Sequence, residues 1–330
     1  MPINNPIGIL SVGHYLPDTI IDNHHFVDRG MDTSSEWIET RSGIKTRHIV
    51  SENQSTSDLA ALAGTSAINH GAVDASVLDF IIVATATPDH QGFPSTACLV
   101  QEKLGLTNIE CFDVTAACSG FAYALSIAYA KITAGIGSHG LVIGAETLSR
   151  LVDWSDRRSA ILFGDGAGAA IVGPVETGGF LGFDQGASGH AAGILSCIHQ
   201  SNTERFNGTH QTDHIPIIHM DGQAVFKQGV QVVVESLNQL FSKQSIHASD
   251  VDYVICHQAN IRILESVSKK IGVPFEKFLT NIDRVGNTSA ASIPLVLSQY
   301  HHDQFSKGDI ICLVGFGAGF TWSSILLEWS

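Results

Sequence analysis

Apolar runs without charges alternate with stretches of helical periodicity along most of this sequence. Runs such as FIIVA, GLVIGA and YVIC are typical of strands covered on both faces, because nearly every position is apolar. Helical spacing covers 57–70, 98–104, 120–134, 222–241 and 260–271. This alternation predicts an α/β fold with parallel or mixed sheets that helices cover on both faces.

Two pairs of segments resemble each other in the same order along the chain. VDASVLDFIIVATATPDH at 73–90 is similar to IHASDVDYVICHQAN at 246–260, and HGLVIGAETLS at 139–149 is similar to GDIICLVGFGAGF at 308–320. Nearly equal separations favour duplication of a half of about 170 residues. Chance similarity between short apolar strands is the alternative. We expect two similar halves, 1–176 and 177–330, packed as one body with ligand chemistry at their seam.

Composition and charge argue against several classes of protein. The formal net charge of −14 argues against nucleic acid or an anionic membrane as a general partner. The first residues contain no basic segment with a long apolar core, and no apolar run reaches about 18 residues, so we expect a cytoplasmic protein. The six cysteines lack CxxC spacing, which predicts reduced thiols and no metal site.

One cysteine, Cys118, lies where the segment ECFDVTAACSGFAYAL turns through small residues into a predicted helix. Free amides at a helix N-terminus favour the thiolate, which is the form that attacks thioesters. A buried cysteine that acts only as a small hydrophobic residue is the alternative. The position makes Cys118 a candidate nucleophile.

The second half offers three partners for this thiol. His257 follows the strand DYVIC and precedes a predicted helix, a junction that commonly faces a cleft, although a core imidazole is the alternative. Asn287 lies in the turn GNTSAAS near the position that Cys118 holds in the first half, or it caps a helix. The GFGAGF turn after DIICLV brings amides near a reacting carbonyl, or is a plain tight turn.

Two other stretches are predicted to have structural roles and no catalytic one. FGDGAGAAIVG at 163–173 matches G-x-G-x-x-A, but a strand-like run follows it where a dinucleotide site needs a helix. We therefore predict close backbone packing for its glycines. The polar stretch 188–214 predicts a long surface excursion early in the second half.

Six motifs carry a resemblance to a known family. DTSSEWIETRSGI, DVTAACSGFAYAL, FGDGAGAA, HQANIRI, GNTSAAS and GFGAGFTWSS resemble β-ketoacyl-acyl carrier protein synthase III, in that family's order and across essentially the whole chain. The resemblance implies a thiolase fold, in which two similar halves each hold a mixed five-stranded sheet within an αβαβα five-layer arrangement. It also implies a homodimer that needs no cofactor, since the coenzyme A thioester is the substrate.

The resemblance assigns the chemistry to four residues. Cys118 would accept an acyl group from acyl-CoA, and His257 with Asn287 would promote decarboxylation of malonyl-acyl carrier protein, whose carbanion then attacks the acyl-enzyme. The amides of Cys118 and Ala318 would form the oxyanion hole. Ala318 departs from the family's usual three glycines, so its amide is usable there only if its φ is negative. No metal is implied.

The resemblance also implies three groups of binding residues. Coenzyme A and its pantetheine arm would contact Trp37, Arg41, Arg157 and Asn260. The acyl pocket would be formed by Leu148, Phe163, Met220 and, reaching across the dimer, Phe93. The acidic carrier protein would dock on Arg262, Lys269 and Lys270, for which an ordinary solvated helix face is the alternative.

Related enzymes with other activities are the alternatives. A thiolase has a second catalytic cysteine in its C-terminal glycine turn, whereas Cys312 lies upstream of that turn. A hydroxymethylglutaryl-CoA synthase adds a glutamate base, for which we identify no counterpart. A polyketide- or quinolone-type relative that condenses or transfers a different acyl group stays open. The retained Cys118 disfavours a noncatalytic carrier-binding subunit, and a Cys/His hydrolase lacks its C-G-S-C-W signature.

Overall fold

The computed structural model describes residues 5–71, 73–198 and 217–330, in which strands and helices alternate. The strands are β1 (Ile7–Tyr15), β2 (Thr19–Asp22), β3 (Thr46–Ile49), β4 (Phe80–Ala84), β5 (Glu110–Val114), β6 (Gly140–Thr147), β7 (Asp165–Pro174), β8 (Gly179–Ala187), β9 (Leu195–Ile198), β10 (Ile217–Met220), β11 (Tyr253–Cys256), β12 (Ile310–Gly317) and β13 (Thr321–Glu328). The α-helices are α1 (His24–Asp28), α2 (Ser35–Ser42), α3 (Thr56–His70), α4 (Thr96–Lys103), α5 (Gly120–Thr133), α6 (Arg157–Ala160), α7 (Gly222–Gln244), α8 (Ile261–Ile271), α9 (Ile282–Val285) and α10 (Ser292–Gln304). The five helices predicted from periodicity are confirmed as α3, α4, α5, α7 and α8.

The two large sheets have the same strand order and directions. The first has the order β1-β7-β6-β4-β5, with antiparallel pairs up to β6 and parallel pairs beyond it. The second has the order β8-β13-β12-β11, again antiparallel up to β12 and then parallel. This shared order is what a duplicated half predicts. The first sheet uses residues up to Pro174 and the second begins at Gly179, while a domain boundary at 176 stays a prediction.

The prediction of five strands in each sheet is wrong for the second half, because that sheet has four strands among the described residues. At the position equivalent to β5, Phe278 forms only an isolated parallel bridge to Val254. The Leu279 amide donates to the Val254 carbonyl at 3.0 Å. The segment leaves the sheet after this single contact, since the short helix α9 begins at Ile282.

The core is built in five layers, as the thiolase fold requires. Alternate residues of a strand face opposite sides, so Ile81 packs on α3 while Ile82 packs on α5. The helices α5 and α10 fill the central layer between the two sheets. The outer face of the second sheet is covered by α7 and α8. The predicted α/β class with helices on both sheet faces is confirmed.

Two short turns meet at the central seam. The 3-10 turns Ala117–Ser119 and Ser289–Ala291 each precede a helix of the central layer, α5 and α10. Each opens on a residue with positive φ, +44° at Ala117 and +46° at Ser289. The residue equivalent to Cys118 is therefore Ala290, three positions after Asn287.

Glycines allow these turns to lie against the opposite half. A Cβ at Gly144 of β6 would lie 2.2 Å from the Ala290 carbonyl oxygen. A Cβ at Gly315 of β12 would lie 2.7 Å from the Ser119 Cα. Because real Cβ atoms do not approach so closely, each turn needs a glycine on the strand of the other half.

The two remaining sequence interpretations have different outcomes. The residues DGAGAA of this motif begin β7 rather than a strand-to-helix turn, and a Cβ at Gly168 would lie 2.6 Å from the Pro294 carbonyl carbon. The predicted close packing is confirmed. In the predicted excursion at 188–214, residues 189–198 instead form a 3-10 turn and β9, which pairs with β10. The rest of that stretch, 199–214, lies outside the described residues.

Candidate active site

A cavity of about 980 Å³ lies at the seam between the two halves. The first half contributes Cys118 to its lining, and the second half contributes His257 and Asn287. The structure therefore brings together three residues that lie far apart in the sequence. Gly317 of β12 also lines this cavity.

Cys118 lies in the turn immediately before α5 and is only 7% exposed. Burial raises the pKa of its thiol to about 12, and a hydrogen bond from the Ser289 side chain offsets this only in part. Desolvation thus opposes the predicted effect of the helix N-terminus, which favours the thiolate. Acylation requires a group that takes the thiol proton.

Gly317 leaves room beside the sulfur. A Cβ at this position would lie 3.0 Å from the Cys118 Sγ and 2.8 Å from its Cβ. Ala318 follows in the turn and is not among the residues with positive φ, so the condition for a usable amide is met. Within the described ranges, neither the Cys118 nor the Ala318 amide donates to a backbone carbonyl. Both amides are available to an oxyanion.

His257 lies between β11 and α8, at the junction predicted from the sequence, and is 2% exposed. Burial lowers the pKa of its imidazole to about 3, so the ring is neutral at physiological pH. Its Nδ1 lies 2.8 Å from the Ser292 hydroxyl oxygen, and the Phe316 ring packs against it edge-on. The Ser292 oxygen also lies 2.8 Å from the Ser289 carbonyl oxygen.

The Ser292 hydroxyl carries one proton, so while it donates to the Ser289 carbonyl, Nδ1 carries the ring proton and donates to the Ser292 oxygen. When the hydroxyl turns to donate to Nδ1 instead, the single ring proton of His257 is on Nε2. Nε2 is then the ring atom that can donate to a substrate oxygen.

Asn287 is held by both its backbone and its side chain. Its amide donates to the Leu162 carbonyl at 2.9 Å, and its carbonyl accepts from Gly164 at 3.0 Å. The Ser289 amide donates to the Asn287 Oδ1 at 2.9 Å. Since Oδ1 is the acceptor in this bond, Nδ2 is the side-chain donor available to the cavity.

The predicted coenzyme A residues lie at the same cavity. Trp37 is 37% exposed, and the Arg41 and Arg157 guanidinium carbons lie 5.5 Å and 4.9 Å from its ring centroid. Asn260 is the N-cap of α8, and its Nδ2 donates to the Arg41 carbonyl at 2.9 Å. This bond joins the Trp37 helix α2 to α8, a structural role that the sequence did not predict.

The four predicted acyl-pocket residues separate into three environments. Phe163 and Met220 line the cavity. Leu148 is not part of the lining and packs with Phe163 in a buried cluster. Phe93 is 91% exposed on this single chain. The four residues therefore do not form a single pocket within the chain.

The basic residues of α8 lie opposite its buried face. Ile263, Leu264 and Val267 are buried, while Arg262, Lys269 and Lys270 are exposed. Arg262 also lines the cavity, so this basic patch begins at its rim. Glu265 is the exposed acidic residue of the same helix.

A buried acid behind the turn Ser289–Ala291 was missed by sequence reasoning. Glu146 of β6 is fully buried, and the Thr87 hydroxyl donates to its Oε2 at 2.7 Å. The amides of Ala86 and Ala290 donate to Oε1 at 3.2 Å and 3.4 Å. Burial raises the pKa of Glu146 to about 7, despite hydrogen bonds from Thr87 and Ser289 that lower it. A charged residue inside the apolar run GLVIGAET was the available signal.

The described residues include neither a candidate metal site nor a membrane-spanning helix. No group of three or more His, Cys, Asp or Glu side chains there could hold a metal ion. None of the described helices combines the length and apolar character needed to cross a bilayer. The six cysteines, all within the described ranges, are free.

Family models match both halves of the chain. Residues 112–189 match 3-oxoacyl-[acyl-carrier-protein] synthase III, and residues 241–329 match the C-terminal region of the same family. The β-ketoacyl-[acyl-carrier-protein] synthase III of Clostridioides difficile is 43% identical over 331 residues, covering 99% of this chain and 100% of that protein.

Solved structures are similar over nearly the full length. The β-ketoacyl-[acyl carrier protein] synthase III of Thermus thermophilus has a TM-score of 0.90 at 40% identity, covering 98% of this chain and 99% of that one. The priming β-ketosynthase of the R1128 polyketide biosynthetic pathway has a TM-score of 0.91 at 32% identity, covering 100% of this chain and 98% of that one.

Proposed function

This chain belongs to the β-ketoacyl-acyl carrier protein synthase III family of condensing acyltransferases, and we propose that Cys118, His257 and Asn287 are its catalytic residues. The family initiates fatty acid synthesis by condensing acyl-CoA with malonyl-acyl carrier protein. One observation carries the proposal: a thiol from the first half and two neutral side-chain donors from the second line one cavity.

The first step is transfer of the acyl group from coenzyme A to the Cys118 sulfur. The thioester formed keeps the acyl carbon electrophilic. The amides of Cys118 and Ala318 stabilise the oxyanion of the tetrahedral intermediate. Gly317 supports this step because it leaves space beside the sulfur.

The second step is decarboxylation of the malonyl group. His257 Nε2 and Asn287 Nδ2 donate to the thioester oxygen of malonyl-acyl carrier protein, and this stabilises the enolate left when carbon dioxide departs. The neutral state of His257 supports this role, because no proton transfer precedes the hydrogen bond. The carbanion then attacks the acyl carbon on Cys118 and releases the thiolate. No cofactor enters these steps.

The substrate path follows from the same cavity. The adenine of coenzyme A stacks on Trp37, and Arg41 and Arg157 bind its phosphates. Pantetheine passes Asn260 at the rim. The acyl chain extends past Phe163 and Met220, and Phe93 of a second copy closes the pocket in a cytoplasmic homodimer. The exposure of Phe93 on the single chain supports this last assignment.

Intact-protein mass spectrometry tests the two steps in order. After incubation with a series of acyl-CoA thioesters, we expect the mass of one acyl group on the wild type and none on Cys118→Ala. Addition of malonyl-acyl carrier protein should then remove the acyl mass and release carbon dioxide. Absence of an adduct with every acyl-CoA would reject the mechanism, and an adduct that persists without carbon dioxide release would indicate an acyltransferase that does not decarboxylate.

We also propose that the acyl carrier protein docks on the basic patch Arg262, Lys269 and Lys270. The patch lies on the exposed face of α8, begins at the cavity rim and stands out in a chain of net charge −14. Reversal of charge in Arg262→Glu/Lys269→Glu should raise KM for malonyl-acyl carrier protein much more than it slows acylation by acetyl-CoA. Lys307→Glu is the matched control. It reverses an exposed charge near the start of β12, whereas the cavity lies at the other end of that strand, at Gly317. Equal losses in both half-reactions, or in the control, would contradict docking.

A priming role in polyketide synthesis is the second candidate. The similarity to the R1128 priming β-ketosynthase favours it. The acyl-CoA series separates the two, because acyl preference and the identity of the accepted carrier protein differ between fatty acid and polyketide initiation. Turnover only with a polyketide carrier protein would select the second candidate.

A further inference from the structure

The two amides assigned to the oxyanion hole belong to opposite halves of the chain. The Cys118 amide lies in the turn before α5, and the Ala318 amide lies in the connection between β12 and β13. Two donors stabilise one oxyanion only when both lie about 2.7–3.1 Å from the same point. A contact that joins the two segments therefore affects how the amides align.

A pair of hydroxyls joins these segments. The Ser119 Oγ, next to Cys118, lies 2.8 Å from the Thr321 Oγ1 at the start of β13. Ser119 is fully buried, so bulk water is not available as a substitute partner. Thr321 Oγ1 also donates to the Ala116 carbonyl over a longer distance of 3.3 Å. Among the described residues, these two contacts are the hydrogen bonds between segments 116–119 and 317–321.

Each hydroxyl also reaches the backbone of its own segment. Ser119 Oγ lies 2.8 Å from the Ala116 carbonyl oxygen, and Thr321 Oγ1 lies 2.9 Å from the Ala318 carbonyl oxygen. The Ser119 amide donates to the same Ala116 carbonyl at 3.2 Å, which closes the turn that leaves the Cys118 amide unpaired. The pair thus lies between the backbones that carry the two oxyanion donors.

Two arrangements of the hydroxyl protons are possible when the hydroxyls bond each other. In one, Thr321 donates to Ser119, and Ser119 donates to the Ala116 carbonyl. In the other, Ser119 donates to Thr321, and Thr321 donates to the Ala318 carbonyl. Either arrangement gives a continuous hydrogen-bonded link from the backbone of one segment to the other segment.

We propose that Ser119 and Thr321 are positioning residues that hold the Cys118 and Ala318 amides at one oxyanion position. This proposal rests on the proposed acylation of Cys118 and adds what aligns its oxyanion hole across the seam. Neither positioning residue lines the cavity, so neither touches the acyl group. The link acts whenever the acyl carbon becomes tetrahedral, both in transfer from coenzyme A and in attack by the malonyl carbanion.

Single-turnover acylation by acetyl-CoA, followed by rapid quench and intact mass, tests the link. Thr321→Val keeps the shape of the side chain and removes the hydroxyl, whereas Thr321→Ser keeps the hydroxyl. Loss of one oxyanion donor lowers kcat about 10²-fold to 10³-fold, so misalignment of two retained donors should slow acylation about tenfold. The acetyl-CoA concentration at half-maximal rate should stay close to that of the wild type, because the link acts in the transition state. Thr321→Ser should keep the wild-type rate.

The acyl carbonyl on Cys118 reports directly on the two amides. Hydrogen bonds to a carbonyl oxygen weaken its C=O bond and lower its stretching frequency. In isotope-edited infrared spectra of the acetylated enzyme, this band should therefore lie at higher frequency in Thr321→Val than in the wild type. It should return to the wild-type position in Thr321→Ser. A general loss of stability would not produce this shift.

Ser119→Ala removes the other hydroxyl of the link. It should slow acylation and shift the carbonyl band in the same directions, so the test does not depend on the folding of Thr321→Val alone. Because both substitutions break one contact, the double variant should be no slower than Thr321→Val. Fully additive losses would show that the two hydroxyls act independently and would reject the link.

Ser324→Ala is the matched control. Ser324 is fully buried on β13, and its hydroxyl lies 2.8 Å from that of Ser236 on the helix α7. Three positions separate Ser324 from Thr321, so the two side chains lie on opposite faces of the strand. The control should keep the wild-type rate and carbonyl band. An equal loss in the control, or a wild-type rate or carbonyl band in Thr321→Val, would overturn the proposal. If the wild type forms no acyl adduct, the proposed function itself fails.

Discussion

The turn Ala117–Ser119 of the first half holds a thiol at its middle residue, whereas the equivalent turn Ser289–Ala291 of the second half holds the methyl group of Ala290. Both turns open on a residue with positive φ and lead into a central helix. Each packs against a glycine of the opposite half. The backbone of the duplicated unit is thus retained on both sides of the seam.

The space beside the two middle residues differs. Gly317 lies beside Cys118 and leaves room for an acyl group. Glu146, on the equivalent strand of the first half, accepts a hydrogen bond from the Ala290 amide at 3.4 Å. The amide that corresponds to one oxyanion donor is therefore already occupied. The second turn instead supports the site, because the Ser289 amide donates to Asn287 Oδ1 and the Ser289 carbonyl accepts from the Ser292 hydroxyl.

Moving the thiol between the two turns gives the largest expected effect. Cys118→Ala should abolish the acyl adduct, because it removes the thiol that accepts the acyl group. Adding Ala290→Cys should not restore it, since Ala290 is fully buried and Glu146 occupies its amide. Intact mass after incubation with acetyl-CoA measures both. An acyl mass on residue 290 would contradict the difference we describe between the turns.

Removing the side-chain donor of Asn287 should slow decarboxylation without slowing acylation. In Asn287→Asp the shape is kept, but no side-chain N–H donor remains, so carbon dioxide release should fall about 10²-fold to 10³-fold. Acylation by acetyl-CoA should stay close to that of the wild type. The two half-reactions are measured separately, by mass and by release of labelled carbon dioxide. An equal loss in both would place Asn287 in the first step instead.

Substitution of the two glycines Gly317 and Gly144 beside the turns should affect different properties, the acylation rate and the stability of the fold. A methyl group in Gly317→Ala meets the Cys118 sulfur at 3.0 Å, so acylation should slow about tenfold, for which about 1.4 kcal/mol suffices. A methyl group in Gly144→Ala meets the Ala290 carbonyl oxygen at 2.2 Å, where backbone must move. Overpacking there should cost about 1–3 kcal/mol of the free energy of unfolding. Denaturant titration and acylation rates measure the two losses, and a stability loss confined to Gly317→Ala would reverse the assignment.

The sequence predicts the repeated parts of this molecule better than its connections. Continuous apolar strands and helical spacing gave the α/β class and five helices, because these signals are local. The internal similarity of YVIC to FIIVA correctly indicated two related sheets. The missing fifth strand could not be predicted from the sequence, because the chain turns into α9 after a single bridge between Phe278 and Val254.

The sequence likewise predicts the candidate residues better than it predicts their environment. Cys118 and His257 were identified from junctions between elements, and the structure brings both to one cavity. Glu146 was missed because its contact with Ala290 joins residues 144 positions apart. The effect of burial on the Cys118 thiol was not predicted, because helix position is visible in a sequence, whereas burial depends on how the second half covers the turn.

The smallest expected effect concerns the first residue of each central helix. α5 begins with Gly120, and α10 begins with Ser292, whose hydroxyl oxygen lies 2.8 Å from His257 Nδ1. Ser292→Ala removes this partner, so the orientation of the His257 ring is fixed less well. A net hydrogen bond of about 1 kcal/mol corresponds to about a fivefold lower kcat for decarboxylation, with KM little changed. Ser298→Ala is the matched control, because it removes a Ser–His contact of the same 2.8 Å length on the same helix, to His14. A similar loss of kcat in both variants would attribute the effect to α10 as a whole and not to the orientation of His257.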